Sequence, residues 1–406
     1  MEQMEILDGK IELPKGFVAS GVFAGIKRSK KDLALIYSER LANVSAVFTT
    51  NRVKAAPVIL DMERAKKGKA QAIVINSGNA NACTGEKGIE DAKSMAKKVA
   101  EVLEIEEEDV LVCSTGVIGV PLPMEKVLKG IEVAALSLSK EGGYDAAYAI
   151  MTTDTFLKAV TVKFNVEGKD ITMTGFAKGS GMIHPNMATM LSFVLTDASV
   201  EKTTLDKAFK DIVNKTYNMI SVDGDMSTND TAIVMANGMA ENKAIQEGTY
   251  EFDLFYKALE YVNKTLAKLI AKDGEGATKL IEVNVINAKT ENDARLAAKA
   301  IVNSNLVKTA IFGEDANWGR ILAAVGYSGA DFDVDKVDIY LKSAKGEVKV
   351  CENGSFFAFD ESLAKEVLKE KEIFIILDMK AGEFMAASWG CDLTYDYVKI
   401  NGSYRT

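Results

Sequence analysis

The residues best suited to chemistry lie in Lys178-Gly179-Ser180-Gly181-Met182-Ile183-His184-Pro185-Asn186-Met187-Ala188-Thr189-Met190-Leu191. Small, flexible residues lead to a proline, and Thr189 then opens an apolar run. Breaking the Ala188–Thr189 bond would give Thr189 a free α-amine beside its own hydroxyl. A threonine hydroxyl is a weak nucleophile until a base takes its proton, and that amine is such a base. Model α-amines titrate at about 7.7–8.0, so part of the group stays basic near neutral pH. Base and nucleophile share one residue, so little positional entropy is lost. The competing reading makes Thr189 a β-branched residue at the head of a buried strand over 190–195.

Acyl transfer also needs donors aimed at a developing oxyanion. Thr115 and Gly116 suit that task, because glycine allows close backbone approach and a hydroxyl beside an amide puts two donors at one point. Gly116 would serve a simple turn equally well. His184 is the single histidine, which excludes a His-rich metal site and any scheme with two imidazoles. Its Gly/Pro-rich surroundings favour a loop position near the site over a direct catalytic role. The 274–279 segment fails the spacing of a phosphate loop. The 223–230 segment resembles a calcium loop, but its glycine is misplaced and Val234 stands where a glutamate ligand belongs, so it reads as a polar loop. No residue set calls for a metal or a cofactor. The 401–406 tail is polar, and a tail is frayed by default.

These residues need a frame. Ala92, Met95, Ala96, Val99 and Leu103 recur at helical spacing, as do Leu205 to Val213 and Phe252 to Leu269. Thr290 with Asp293 reads as a capping pair for a further helix. Val160, Val162 and Phe164 alternate with polar residues, the period of a half-buried strand. Apolar runs at 72–75, 110–113, 232–235, 281–286 and 373–377 predict further strands. Gly/Asn/Ser-rich loops are expected to follow two of them, at 76–81 and 114–119, and such strand-end loops often carry sites. Helices alternating with strands indicate a layered α/β protein.

The 406 residues exceed one ordinary compact core, so two domains or one large layered unit is expected. The net charge of -9 argues against nucleic-acid binding. No apolar run is long enough for a membrane span, and residues 1–15 show no secretory signal. Cys83, Cys113, Cys351 and Cys391 form no CxxC pair, so a reduced, cytoplasmic protein is expected.

Eight segments in order along the chain resemble the ornithine acetyltransferase family, also called glutamate N-acetyltransferase, of arginine biosynthesis. They are Gly16–Gly21, Ile75–Ala82, Ser114–Gly119, Met151–Thr155, Lys178–Leu191, Asp273–Lys279, Gly313–Arg320 and Asn401–Thr406. Leu157 departs from a proline common in relatives. The resemblance implies a precursor that cleaves itself between Ala188 and Thr189, giving an α chain 1–188 and a β chain 189–406 that associate as α2β2. It implies an αββα sandwich with a smaller C-terminal α/β domain from about 280. It implies acetyl transfer from N-acetylornithine to glutamate, with acetyl-CoA as an optional further donor. Carried over by motif, Thr189 is the nucleophile and Thr115 with Gly116 the oxyanion pair. Thr152, Lys178, Thr189, Glu275, Asn401 and Thr406 match substrate contacts. A self-processing aminopeptidase with an N-terminal threonine is the enzymatic alternative, and a binding or assembly protein the non-enzymatic one.

Overall fold

The computed structural model describes residues 4–184 and 190–403. Ala188, Thr189 and Thr406 lie outside the described residues. The chain forms two compact units, one of residues 1–179, 186–214 and 226–266, the other of 180–185, 215–225 and 267–406.

The first unit carries strands β1 (Met4–Asp8), β2 (Phe17–Val22), β3 (Leu33–Phe48), β4 (Lys69–Asn79), β5 (Val110–Val117), β6 (Lys158–Val166), β7 (Lys169–Lys178) and β8 (Leu191–Thr196). After β9 (Ile220–Ser221), which joins the other unit's sheet, comes β10 (Thr231–Ala236). They form one sheet in the order β1-β6-β7-β8-β10-β3-β4-β5, with β2 also paired to β3. The long β3 lets the sheet fold over itself. Its first half pairs with β2 and β4, its second half with β10, and the register shifts between Tyr37 and Ala42.

Alternation along the strands builds two cores. Ala34 and Ile36 of β3, and Ile73 and Ile75 of β4, face inward to Phe176, Phe193, Leu195, Ile233 and Met235. Helix α4 (Gly143–Ile150), the fourth after α1 (Ala56–Arg64), α2 (Gly85–Leu103) and α3 (Met124–Leu136), adds Ala146, Ala149 and Ile150 to that core. The intervening Leu33, Leu35, Ala72 and Val74 face outward to Met95 and Val99 of α2 and Ile131 of α3. Strands buried on both faces read as continuous apolar runs, which explains the 72–75 signal. Each such leucine, isoleucine or phenylalanine contributes about 1.5–3 kcal/mol by leaving water. α5 (Lys202–Lys215) and α6 (Tyr250–Lys272) follow β8 and β10. α6 lies so close to β7 that a Cβ on Gly175 would stand 2.5 Å from Val262. Helix, sheet, sheet and helix thus succeed one another, the expected αββα arrangement.

The second unit has a sheet in the order β14-β13-β12-β15-β11-β16-β9. Its strands are β11 (Leu280–Ala288), β12 (Asp338–Ser343), β13 (Gly346–Glu352), β14 (Ser355–Phe356), β15 (Glu372–Asp378) and β16 (Phe384–Cys391). Helices α7 (Glu291–Asn303), α8 (Asn305–Phe312), α9 (Trp318–Gly326), α10 (Glu361–Leu368) and α11 (Tyr395–Gly402) complete it. The Thr290 side chain accepts from the Asp293 N–H and caps α7 as its spacing predicts. All four cysteines are free thiols.

Two expectations change. The residues expected as loops at 76–81 and 114–119 begin as strand, since β4 continues through Asn79 and β5 through Val117. The tail expected to fray at 401 is helical through Gly402, because Thr394 caps α11 at its other end.

Candidate active site

Thr115 and Gly116 sit at the end of β5, beside Ser77 and Gly78 of the parallel β4. The two strand ends are pressed together. A Cβ on Gly116 would lie 2.3 Å from the Gly78 carbonyl carbon and 2.4 Å from the Asn79 nitrogen. Gly116 also has φ +136°, a conformation that side chains disfavour. Close approach and backbone angle both require glycine here. Amide side chains stitch the polar strand ends: Asn76 Nδ2 donates to the Asn79 carbonyl at 2.9 Å, Ser114 Oγ to Asn76 Oδ1 at 2.6 Å, and Asn229 Nδ2 to the Ala80 and Ser114 carbonyls at 2.6 and 2.8 Å. Those bonds satisfy buried groups that would otherwise each be costly.

Lys178 ends β7, buried, with its Nζ 3.4 Å from Thr115 Oγ1. The buried carboxylate of Asp154 anchors the same corner. It accepts from Lys158 Nζ at 2.7 Å, from the Gly179 N–H at 2.7 Å and from the Thr152 N–H at 2.9 Å. Burial by itself would raise the Asp154 pKa. The charges of Lys178 and Lys158 and the bonds from Lys158 and Gly179 outweigh it, and hold the carboxyl well below its usual range. Thr115, Gly116, Thr152 and Lys178 are therefore drawn together by one network in the first unit.

Asp230 leads into β10, whose Thr231 N–H donates to the Met190 carbonyl at 3.0 Å. Its carboxyl lies beside the Met190 N–H and the hydroxyls of Thr49 and Ser227, yet none closes a well-formed hydrogen bond among the described residues. Burial pushes its pKa well above the carboxylate range.

In the second unit, Glu275 is buried in the connection between α6 and β11. Its Oε2 accepts from Asn401 Nδ2 of α11 at 2.8 Å, and its N–H donates to the Ser180 carbonyl at 2.9 Å. Gly181 faces the Glu275 carboxylate so closely that a Cβ would stand 2.3 Å from its carbon. Asp392 holds the rest of this connection by accepting the Thr278 and Lys279 N–H groups at 2.8 and 2.9 Å. That is the structural role of a segment that only superficially resembles a phosphate loop. Asp223, in the calcium-like stretch, accepts the Met182 and Ile183 N–H groups at 2.7 and 2.8 Å. It ties loops instead of presenting an open ligand. Among the described residues no cluster of three or more His, Cys, Asp or Glu could hold a metal.

His184 is half-buried in a loop, with Nδ1 3.1 Å from Ser221 Oγ. Burial and the charge of Lys299 push its pKa down to about 4, against a hydrogen bond to Asn303. The imidazole is neutral at pH 7. Ala188, Thr189 and Thr406 lie outside the described residues, so their places in the site stay with the proposal below.

Sequence reasoning did not single out Asp154, although it lies in the quoted 151–155 stretch. Its signal would have been the i, i+4 pair with Lys158. It read Asp230 only as the end of the calcium-like polar loop, and the residue stands out only once its burial is known.

The comparisons with known proteins agree on one family. The ArgJ family model matches residues 18–406. The chain is 98% identical over 403 residues to the arginine biosynthesis bifunctional protein ArgJ of Caldanaerobacter subterraneus subsp. tengcongensis, covering 99% of this chain and 100% of the relative. It is 58% identical over 396 residues to the protein of the same name in Thermotoga neapolitana, covering 97% and 100%. A crystal structure of the Bacillus halodurans ArgJ protein matches with TM-score 0.51 and 46% identity, covering 53% of this chain and all of that one. The ordered motifs, the αββα unit and these matches lead to the same conclusion: the chain belongs to the ArgJ family.

Proposed function

We propose that this ArgJ-family acetyltransferase moves an acetyl group from N-acetylornithine to glutamate through an acetyl ester on Thr189. The α-amine freed by cleavage of the Ala188–Thr189 bond takes the hydroxyl proton as the oxygen attacks the acetyl carbonyl. Thr115 Oγ and the Gly116 N–H receive the tetrahedral oxyanion. Ornithine leaves as the amine, taking the proton. Glutamate then attacks the ester, and N-acetylglutamate departs as Thr189 regains its proton. Thr152, Lys178, Thr189, Glu275, Asn401 and Thr406 serve as the substrate-contacting residues. Acetyl-CoA serves as a second donor to the same threonine, in keeping with the word bifunctional in the relatives' names.

The observation that carries this reading is the corner of β5 and β7. A glycine that no other residue could replace lies beside a threonine hydroxyl, with a buried lysine 3.4 Å from that hydroxyl. The Bacillus halodurans chain also supports cleavage, since its whole length spans just over half of this chain, the share that 189–406 represents. The two products, 1–188 and 189–406, remain associated and pair again as α2β2, with the C-terminal α/β domain starting at about 280.

Intact mass under denaturing conditions is the test. Two species meeting at Ala188/Thr189 are expected, and Thr189→Ala should leave one chain without transferase activity. An uncut chain that still transfers acetyl, or intersecting double-reciprocal lines with no acetyl-enzyme on quenching, would overturn the scheme.

A further inference from the structure

Lys27 has no role in the scheme above, yet the fold delivers it to the same corner. It lies in the connection between β2 and β3, which is wound around one carboxylate. Asp32 accepts the N–H groups of Ala24, Gly25, Ile26 and Lys27 at 2.6, 3.1, 2.7 and 2.9 Å. Four bonds to one buried side chain leave this loop little freedom. The Lys27 stem then crosses Gly78, where an added Cβ would stand 2.9 Å from Lys27 Cγ. Gly78 is the residue against which Gly116 is pressed. Gly116, Gly78 and the lysine stem therefore stack in direct sequence, and both glycines serve that approach.

The ammonium ends beside the substrate-contact candidates. Lys27 Nζ donates to the Met151 carbonyl at 2.5 Å and to the Lys31 carbonyl at 3.1 Å. Met151 directly precedes Thr152. Two of its three N–H bonds are thus used among the described residues, and one is left for a ligand. No carboxylate bonds to this ammonium in the described structure. Asp32 is committed to its loop amides, and Asp154 to Lys158, Gly179 and Thr152. Burial, with the charges of Lys178 and Lys30 and against those of Asp32 and Asp154, pushes the Lys27 pKa down to about 8. A half-buried ammonium that lacks a bonded carboxylate gains from an incoming anion.

We propose that Lys27 is a second cation, working with Lys178, for the α-carboxylate that ornithine, N-acetylornithine and glutamate share. This rests on the proposed function for the identity of the ligand. Ornithine's α-carboxylate accepts the third N–H of Lys27. The stem of Lys27 keeps the Gly78–Gly116 corner closed from above, so binding and oxyanion geometry depend on one loop.

The test is equilibrium binding, which does not need turnover. Titration calorimetry would compare ornithine with ornithinamide on the unsubstituted protein and on Lys27→Met, a change that keeps the stem. The Kd of ornithine should rise about tenfold or more in K27M. The Kd of ornithinamide should stay within threefold, since it has no carboxylate to lose. Lys27→Arg should recover most of the ornithine affinity. Equal weakening of both ligands would show that Lys27 only pins the loop, and unchanged ornithine binding would show that it touches nothing. Either overturns the proposal. If K27M fails to fold, Lys27→Gln takes its place: ornithine should again weaken about tenfold with ornithinamide within threefold, and equal weakening of both ligands or unchanged ornithine binding overturns the proposal. Binding of ornithine without acetyl transfer would sink the proposed function and leave this inference standing.

Discussion

Gly116→Ala is the sharpest perturbation the structure offers. The added Cβ would stand 2.3 Å from the Gly78 carbonyl carbon, 2.4 Å from the Asn79 nitrogen and 2.7 Å from the Gly78 oxygen. All three are backbone atoms, so no side chain can swing away. Reaching even a tight 3.4 Å contact requires the ends of β4 and β5 to part by about 1 Å. The φ of +136° adds strain of about 1–3 kcal/mol for a residue with a Cβ, and overpacking adds about 1–3 kcal/mol. A displacement of about 1 Å at a reacting centre costs about 10²-fold in rate. The variant should therefore lose at least about 10²-fold in kcat for acetyl transfer from N-acetylornithine to glutamate. Its Tm should fall by about 5–15 °C. Gly119→Ala is the control, because φ there is +79° but no atom lies within 4 Å of the new Cβ. It carries backbone strain without crowding and should stay within about fivefold of full activity. A Gly116→Ala enzyme with kcat within threefold and an unchanged Tm would refute the reasoning.

Three further outcomes follow from the same geometry. Asp154→Asn leaves Lys158 and Lys178 without their shared carboxylate and should destabilise by about 3–5 kcal/mol, read by denaturant melts. Because the folded pKa of Asp154 is depressed, its contribution is present above the unfolded value and lost as pH falls through the folded one, so the variant should flatten the acid limb of Tm against pH. Identical acid limbs would count against the network. Gly181→Ala drives a Cβ to 2.3 Å from the flexible end of Glu275 and should break the Asn401 contact. KM for N-acetylornithine should rise about tenfold with Tm nearly unchanged, and an unchanged KM would remove Glu275 from the proposed substrate contacts. Lys299, half-buried and donating to the Asn218 and Ile220 carbonyls, has its pKa pushed down to about 7 from 10.5, chiefly by loss of hydration. The unfolded chain binds the extra proton between those values, so stability should rise with pH across that window. Lys299→Met should abolish that rise in thermal melts, and an undiminished slope would assign it elsewhere.

Much of the frame was legible because its signals are local. The alternation of Val160, Val162 and Phe164 is β6, and the Thr290–Asp293 spacing is the cap of α7. The strand ends were not legible. Asn76 to Asn79 and Ser114 to Val117 have the composition of turns. They remain strand because each other's backbone pairs them across the parallel ladder. Lys178 and Glu275 likewise have the types of solvated surface residues. Their burial depends on Asp154, Asn401 and Gly181, partners that only tertiary structure brings near. Lys27 gave no signal at all, since its position follows from a loop wound around Asp32. The resemblance to a family supplied the site residues that periodicity could not.

The strand order of the nine-stranded sheet bears on how such a protein could be made. β8 and β10 lie between β7 on one side and β3 on the other. A cut before Met190 would put those two middle strands on one polypeptide and both flanking groups on the other. The piece 1–188 alone would then show two raw interior edges facing a two-strand gap, and raw edges invite mispairing. The woven sheet must exist before the thread is cut. Co-expressing the halves as separate genes should therefore give aggregate, whereas the single gene, cut as proposed, should give a nicked pair that neither dilution nor salt can pull apart.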